Sequence, residues 1–424
     1  MNVKMVNKQE KKKTLIYLTG MAESPFFDNE ISSLIHNFDR VYVITYGDSP
    51  NTAKEIENKY NITINTTRMG IKSIAYCPAV VEALSDSRIK EEIDYIFTRY
   101  HGKTKILCVG YALYYITFAI SIRKRLKKIL EENQNNDIYL YSFWMSKAAF
   151  SLVMLNYEKY TNVQLIASRA HGYDVYEERN SANYLPFRKL IAERMDKIFF
   201  VSNEGKNYFQ KYLKERCIRA NILDVIHMGV DNSDYIKKFH EKDEMVIASC
   251  SSVIKIKRLD IIIDFIQIIH SKIKVRWLHI GEGNLMKEMK SIADRKLLNL
   301  QFQFLGNIDN KEVLSIYREN DVDFFINMSD SEGIPVSIME AFSLGIPVIA
   351  RDVGGIHEVV NESNGFIVKE MDKKSLENVA DKVIGCFINE EYYSKLSKNA
   401  VDMQRKNFNK KINNLKLVRA IIET

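Results

Sequence analysis

The chain has 424 residues, 46% hydrophobic and 27% charged, which describes a soluble globular protein too long for one ordinary core, so two domains of roughly 200 residues each are expected. Its 61 basic and 54 acidic residues leave a net charge of +7, compatible with phosphate-bearing ligands or an anionic membrane surface and too diffuse to imply nucleic acid. Five widely spaced cysteines (Cys77, Cys108, Cys217, Cys250 and Cys386), never paired as C-x-x-C, point to a reducing cytoplasm and away from a zinc site.

Residues 1–13 form a polar segment without the apolar core of a signal peptide. Residues 14–18 (TLIYL) and 41–46 (VYVITY) then read as buried strands with a helix between them, the beginning of a parallel α/β sheet. Gly20 ends the first strand, where such sheets often bind ligands, and serves either close backbone approach or a plain turn. Residues 51–104 carry no clear pattern. A long helical pattern covers residues 111–132; its apolar run over 111–122 is too short to span a bilayer. Between Arg123 and Lys128 five of six residues are basic, with Leu126, Ile129 and Leu130 on an apolar side. This is either a site for anionic lipid headgroups or, more simply, a solvated face.

Further buried strands are expected at 138–143, 163–168 and 198–201. His171 follows the second of these and precedes Gly172, a position from which a βα loop aims a side chain at a ligand; a satisfied structural histidine is the alternative. Residues 226–230 end the first half, and the charged stretch 231–244 suits an interdomain linker.

A second α/β series starts at 245–249. Lys255, Lys257 and Arg258 precede a helix beginning near Ile261, where basic side chains can neutralise a diphosphate or simply form a surface cluster. After a strand at 275–280, Gly281 and Gly283 begin like a dinucleotide fingerprint. Met286 stands where the third glycine belongs, so NAD binding is rejected in favour of a tight turn beside a nucleotide.

Another strand is expected at 302–305, and an apolar run at 322–328 ends in a polar loop and a helix opening at Pro335. Gly345 occupies the C′ position, Pro347 stops the helix and 348–350 starts a new strand. The helix N-terminus offers the amides of Gly333, Ile334 and Val336 to a phosphate, while Glu332 in the loop and Glu340 one to two turns into the helix can accept from hydroxyls. A nucleotide sugar carries that combination of groups; a capped helix with two solvated glutamates is the plainer alternative. Residues 375–403 read as helical, and the basic, apolar tail as a last helix.

With Glu332 and Glu340 in E-x7-E spacing inside EGIPVSIMEAFSLGIPVIARDVGG, the sequence resembles glycosyltransferase family four, retaining enzymes of the GT-B fold. The resemblance is strong over 245–408 and also rests on Lys257, Gly281, Gly283, Gly354 and Gly355. In the first half it rests on Gly20, His171 in RAHGYD and Asp231, and looks most like bacterial members that build capsule, exopolysaccharide or lipopolysaccharide.

It implies two Rossmann-like α/β domains with parallel sheets facing a cleft: an acceptor domain over 14–230, a linker over 231–244, a nucleotide-sugar domain over 245–407 and a crossover helix over 408–424. It implies that Glu340 bonds the ribose, Glu332 orients the donor sugar, Lys257 neutralises the diphosphate and His171 contacts the sugar near the reacting carbon. Gly20, Arg258, Gly281, Gly283, Gly333, Ile334, Pro335 and Val336 complete the donor site, with no metal and no cofactor beyond the donor itself.

Ser252 departs from the pattern, since many members carry arginine there; Arg258 is the nearest substitute. The expected activity is transfer of a sugar from a nucleotide-diphosphate donor to a glycan or lipid-linked acceptor, in the cytoplasm or peripherally on the inner face of the membrane. A non-catalytic GT-B-like subunit and a nucleotide-sugar epimerase are the alternatives.

Overall fold

The computed structural model describes residues 11–20, 25–66, 85–155, 160–218 and 222–423; Cys77 and residues 1–10 lie outside them. The described residues form two compact units. The first takes those up to Val201, Gly205–Ile226 and those from Asn414 onward, and the second takes Ser202–Glu204 and His227–Asn413.

The first unit is built on seven strands, β1 (Lys13–Thr19), β2 (Arg40–Thr45), β3 (Thr63–Thr66), β4 (Asp137–Ser142), β5 (Val163–Ala170), β6 (Lys197–Phe200) and β7 (Leu223–Val225). Their order is β3-β2-β1-β4-β5-β6-β7, parallel throughout. Leu15, Ile16, Tyr17 and Leu18 are all buried, as the unbroken apolar run requires when helices cover both faces of a parallel sheet.

The second unit carries β8 (Glu244–Cys250), β9 (Lys274–Ile280), β10 (Gln301–Phe304), β11 (Phe324–Asn327), β12 (Val348–Arg351) and β13 (Gly365–Val368). They run parallel in the order β10-β9-β8-β11-β12-β13. The strand order reverses between β8 and β11, and the crevice beyond their carboxyl ends is where open α/β sheets bind ligands.

Several expectations shift. The stretch without a clear pattern contains the helices Pro50–Tyr60 and Ser87–Arg99 around β3. The long helix starts at Gly102 rather than 111 and runs to Glu132. Its uncharged stretch extends over 106–122, and by length and composition the helix is apolar enough to cross a membrane. Cys108, Ala112, Ile116, Ala119 and Ile122 on one side are instead buried in the core of the first unit.

The last strand of the first sheet is β7, ahead of 226–230, of which Val230 alone bridges, to Asn409. Residues 231–244, expected as a linker, group with the second unit. There Lys237 is buried against Asp323 (3.2 Å) and pairs with Asp321. The final helix is Lys410–Ile422, and Asn414 bonds Asn29 O within the first unit.

Candidate active site

The crevice between β8 and β11 collects most of the predicted donor-site residues within the second unit. Strand β11 ends at Asn327, the loop turns through Glu332, and the helix Val336–Ser343 begins after Pro335, which serves as N-cap rather than first helical residue. Proline has no N–H, and the cap makes no side-chain bond. The amides of Gly333, Ile334 and Val336 have no acceptor among the described residues, leaving the positive end of the helix open to an anion.

Glu332 is only 8% exposed, and a buried carboxylate needs partners. Lys257, from the loop after β8, places Nζ 2.6 Å from Glu332 Oε1, and Asn327 Nδ2 donates to the same oxygen at 3.4 Å. Asn327 Oδ1 in turn accepts from the Ser329 amide at 3.1 Å, so the side chain that closes β11 also shapes the loop. Sequence reading missed Asn327; the polar residue ending an otherwise apolar strand was its signal.

The Glu340 carboxylate has no hydrogen-bond or ion-pair partner among the described residues, while its backbone carbonyl accepts from Ser343 Oγ at 2.7 Å, and burial pushes the carboxyl up to about 7. It faces the end of β8, where burial, aided by the Glu340 charge, pushes the Cys250 thiol up to about 11. A desolvated carboxylate without a protein donor is an acceptor held ready for a ligand's hydroxyls.

The glycines act mainly through the backbone. A Cβ on Gly281 (φ +132°) would lie 2.0 Å from Ser251 O, and one on Gly283 2.3 Å from Val253 O. Only glycine lets the loop after β9 lie against the loop after β8, where Val253 N donates to Glu282 O at 2.8 Å. Gly354 (φ +53°) and Gly355 likewise let their loop press on the carbonyls of Glu332 and Gly333, at 2.0 and 2.5 Å from the added Cβ. They hold the carboxylate loop in place from behind.

Ser252 lines a cavity of about 600 Å³ with Cys250, Gly281, Gly283, Asn307 and Asn310 at the carboxyl ends of β8, β9 and β10. Arg258 lines a different cavity, with Lys255, and its guanidinium is held by Asp260 (2.9 Å) and Asp330 (3.2 Å). Arg351 pairs with the same Asp330. Two carboxylates within reach hold Arg258 more firmly protonated than usual, and they compete with any diphosphate for it.

In the first unit, His171 sits at the end of β5 between the rings of Phe143 and Trp144, at centroid distances of 4.4 and 4.3 Å. Asp174 fixes this loop, accepting from the amides of His171 (2.8 Å), Gly172 (3.1 Å) and Met145 (2.8 Å). Both ring nitrogens are buried without a hydrogen-bond partner, Nδ1 standing 3.9 Å from Asp174 Oδ2, and burial, partly offset by the Asp174 charge, lowers the imidazole's affinity for a proton. Gly20 has no comparable steric reason to be glycine: an added Cβ would make ordinary contacts with Tyr46, the nearest at 3.5 Å.

Among the described residues no group of three or more His, Cys, Asp or Glu is placed to hold a metal ion.

Residues 231–403 match the family of glycosyl transferases, group 1. An uncharacterized glycosyltransferase of Methanocaldococcus jannaschii is 30% identical over 237 residues, 56% of this chain and 62% of the relative. The putative colanic acid biosynthesis glycosyltransferase WcaL of Escherichia coli is 26% identical over 219 residues, 50% of this chain and 53% of the relative. The matched stretches thus span little more than half the length of these relatives.

Among solved structures, Anabaena HepE in complex with UDP and glucose superposes with a TM-score of 0.65 at 16% identity, covering 97% of this chain and 100% of that one. The lipopolysaccharide outer core galactosyltransferase WaaB does so at 0.68 and 14%, covering 97% and 99%. The fold is GT-B.

Proposed function

We propose, from the group 1 match of residues 231–403 and the chemistry of the β8–β11 crevice, that this protein is a retaining glycosyltransferase using a nucleotide-diphosphate sugar. One arrangement carries the reading. The Lys257–Glu332 pair, the open amides after Gly333 and the unpartnered Glu340 lie along one loop–helix segment and the loop facing it. Glu340 accepts from the ribose hydroxyls, the amides hold diphosphate or sugar, and Glu332 orients the sugar. Lys257 turns from its carboxylate to the leaving phosphate.

In the reaction the bond between the anomeric carbon and the β-phosphate oxygen breaks, and a bond to the acceptor hydroxyl oxygen forms on the same face. The acceptor's proton passes to the departing phosphate. Lys257 and the helix dipole supply positive charge where negative charge develops, so no metal is required. The role of His171 rests on the family resemblance.

The acceptor in this reading is a surface glycan, free or lipid-linked, and transfer takes place on the cytoplasmic side of the membrane; the glycan part of it is supported by the colanic acid biosynthesis role in the name of WcaL. UDP-glucose is the first donor to test, being bound in a HepE structure.

The test is transfer by the purified chain from a panel of nucleotide sugars, with the product anomer read by NMR and EDTA present in parallel. Retained configuration and EDTA-resistant turnover support the proposal. An inverted product overturns the mechanism, and donor isomerised without acceptor would instead establish an epimerase. Failure of every donor to bind would leave the non-catalytic subunit.

A further inference from the structure

The outward stripe of the helix Gly102–Glu132 is unlike an ordinary solvated helix face. Residues three and four apart share a face, and that rule places Lys103, Ile106, Leu107, Tyr114, Lys124 and Lys128 on one side, all exposed or partly so. Ile106 is 73% exposed, Leu107 41% and Tyr114 40%. Between them and Lys124 the stripe carries only Gly110, Thr117 and Ser121. At 1.5 Å per residue this leaves about 25 Å of outward face without a charge, closed at each end by basic residues.

The neighbourhood extends the pattern. Phe97, 54% exposed on the preceding helix Ser87–Arg99, lies under Lys105, whose Nζ is 4.9 Å from the ring centroid. Lys147 stands over the Tyr114 ring at 4.6 Å. Over residues 95–130 the sequence has eight lysines and arginines and no aspartate or glutamate; the acidic residues of the helix, Glu131 and Glu132, stand at its very end, where Glu132 lies 3.7 Å from Lys128. A solvated helix of this length would normally intersperse both signs.

We infer that this face docks on an anionic membrane, the helix lying flat in the headgroup layer with Ile106, Leu107 and Phe97 entering the acyl boundary. Lysines at both ends pair with lipid phosphates. Apolar area and positive charge act together in such binding, and neither alone suffices for stable attachment. The helix lies in the interface rather than crossing it, because its opposite side is buried in the core of the first unit. The placement also differs from the basic stretch at Arg123 to Lys128 considered alone. There Leu126, Ile129 and Leu130 are buried, and Arg125 donates to Thr66 O at 2.7 Å, so no apolar side remains for lipid.

Flotation of the full chain with phosphatidylcholine vesicles, with and without 30% phosphatidylglycerol, tests this. The wild type floats only with the anionic vesicles, and about 0.5 M NaCl weakens binding. The double variant Ile106→Glu/Leu107→Glu, in which both residues are already in solvent, keeps the melting temperature and loses at least tenfold in vesicle affinity. Ile106→Trp shows fluorescence quenched by brominated acyl chains. Failure of the wild type to float, or undiminished flotation of the double variant, overturns the inference. So does a dimer that the double variant converts to monomer in the absence of vesicle binding, which would make the stripe a contact between copies.

Discussion

Lys257 Nζ lies 2.6 Å from Glu332 Oε1, across 75 residues of sequence and between two loops at the carboxyl ends of β8 and β11. The pair ties together the two strands between which the sheet reverses, and both side chains are largely shielded. Each therefore answers for the other. Lys257→Ala leaves a shielded carboxylate without its cation, at an expected cost of about 1–3 kcal/mol. Lys257→Met/Glu332→Gln removes both charges and recovers part of the loss. Urea or thermal melts of the four proteins give the coupling energy. In transfer assays each single variant is expected to lose at least a hundredfold in kcat/KM, and the double variant to regain none of it.

The pH dependence of donor binding follows from Glu340. Its carboxyl is pushed from 4.5 up to about 7 by burial, so between those pH values the folded protein holds a proton that the unfolded chain has already lost. Stability from this group is therefore greatest at low pH and falls as pH rises toward 7. Donor hydroxyls favour the ionised carboxylate, so affinity moves the other way. Binding of a nucleotide sugar, whose diphosphate diester does not titrate near 7, is expected to strengthen about tenfold from pH 6 to 8. Calorimetry on Glu340→Gln should show a flat profile, weaker than wild type at pH 8.

Two glycine-to-alanine changes separate backbone necessity from coincidence. At Gly354 the new Cβ meets Glu332 O at 2.0 Å with φ at +53°, so Gly354→Ala either displaces the carboxylate loop or unfolds it. A cost of at least about 2 kcal/mol and loss of transfer are expected. Gly20→Ala meets Tyr46 at an ordinary 3.5 Å and is expected to stay within about 0.5 kcal/mol of wild type. A large loss of donor or acceptor affinity in Gly20→Ala at unchanged melting temperature would show that a ligand, rather than the fold, approaches that backbone.

Burial between Phe143 and Trp144 lowers the proton affinity of His171, with Asp174 partly offsetting it. Protonating it would cost stability as pH falls below its unfolded value of about 6.5. His171→Ala opens a gap between two rings, with an expected loss of about 2–4 kcal/mol; His171→Phe fills it. If the ring acts on substrate, both variants lose kcat by more than a hundredfold while only the alanine variant melts early. Full activity in His171→Phe would reduce the residue to packing.

Features that depend on local order alone are legible in the sequence. Apolar runs such as 14–18 and 245–249 became buried parallel strands because such a strand has no outward face. Gly345 ended its helix with φ +72° because a left-handed turn there excludes a Cβ. The spacing of Glu332 and Glu340 placed one at the helix mouth and one on its second turn, since helical rise is constant.

What each of these residues meets is set by long-range packing. It paired Lys257 with Glu332, committed Arg258 to Asp260 and Asp330, and left the Glu340 carboxylate without a partner among the described residues. It also turned Ile106 and Leu107 outward while burying Leu126 and Leu130 on the same helix. Periodicity marks the faces of a helix, but which face is covered depends on chain packed from far away in sequence.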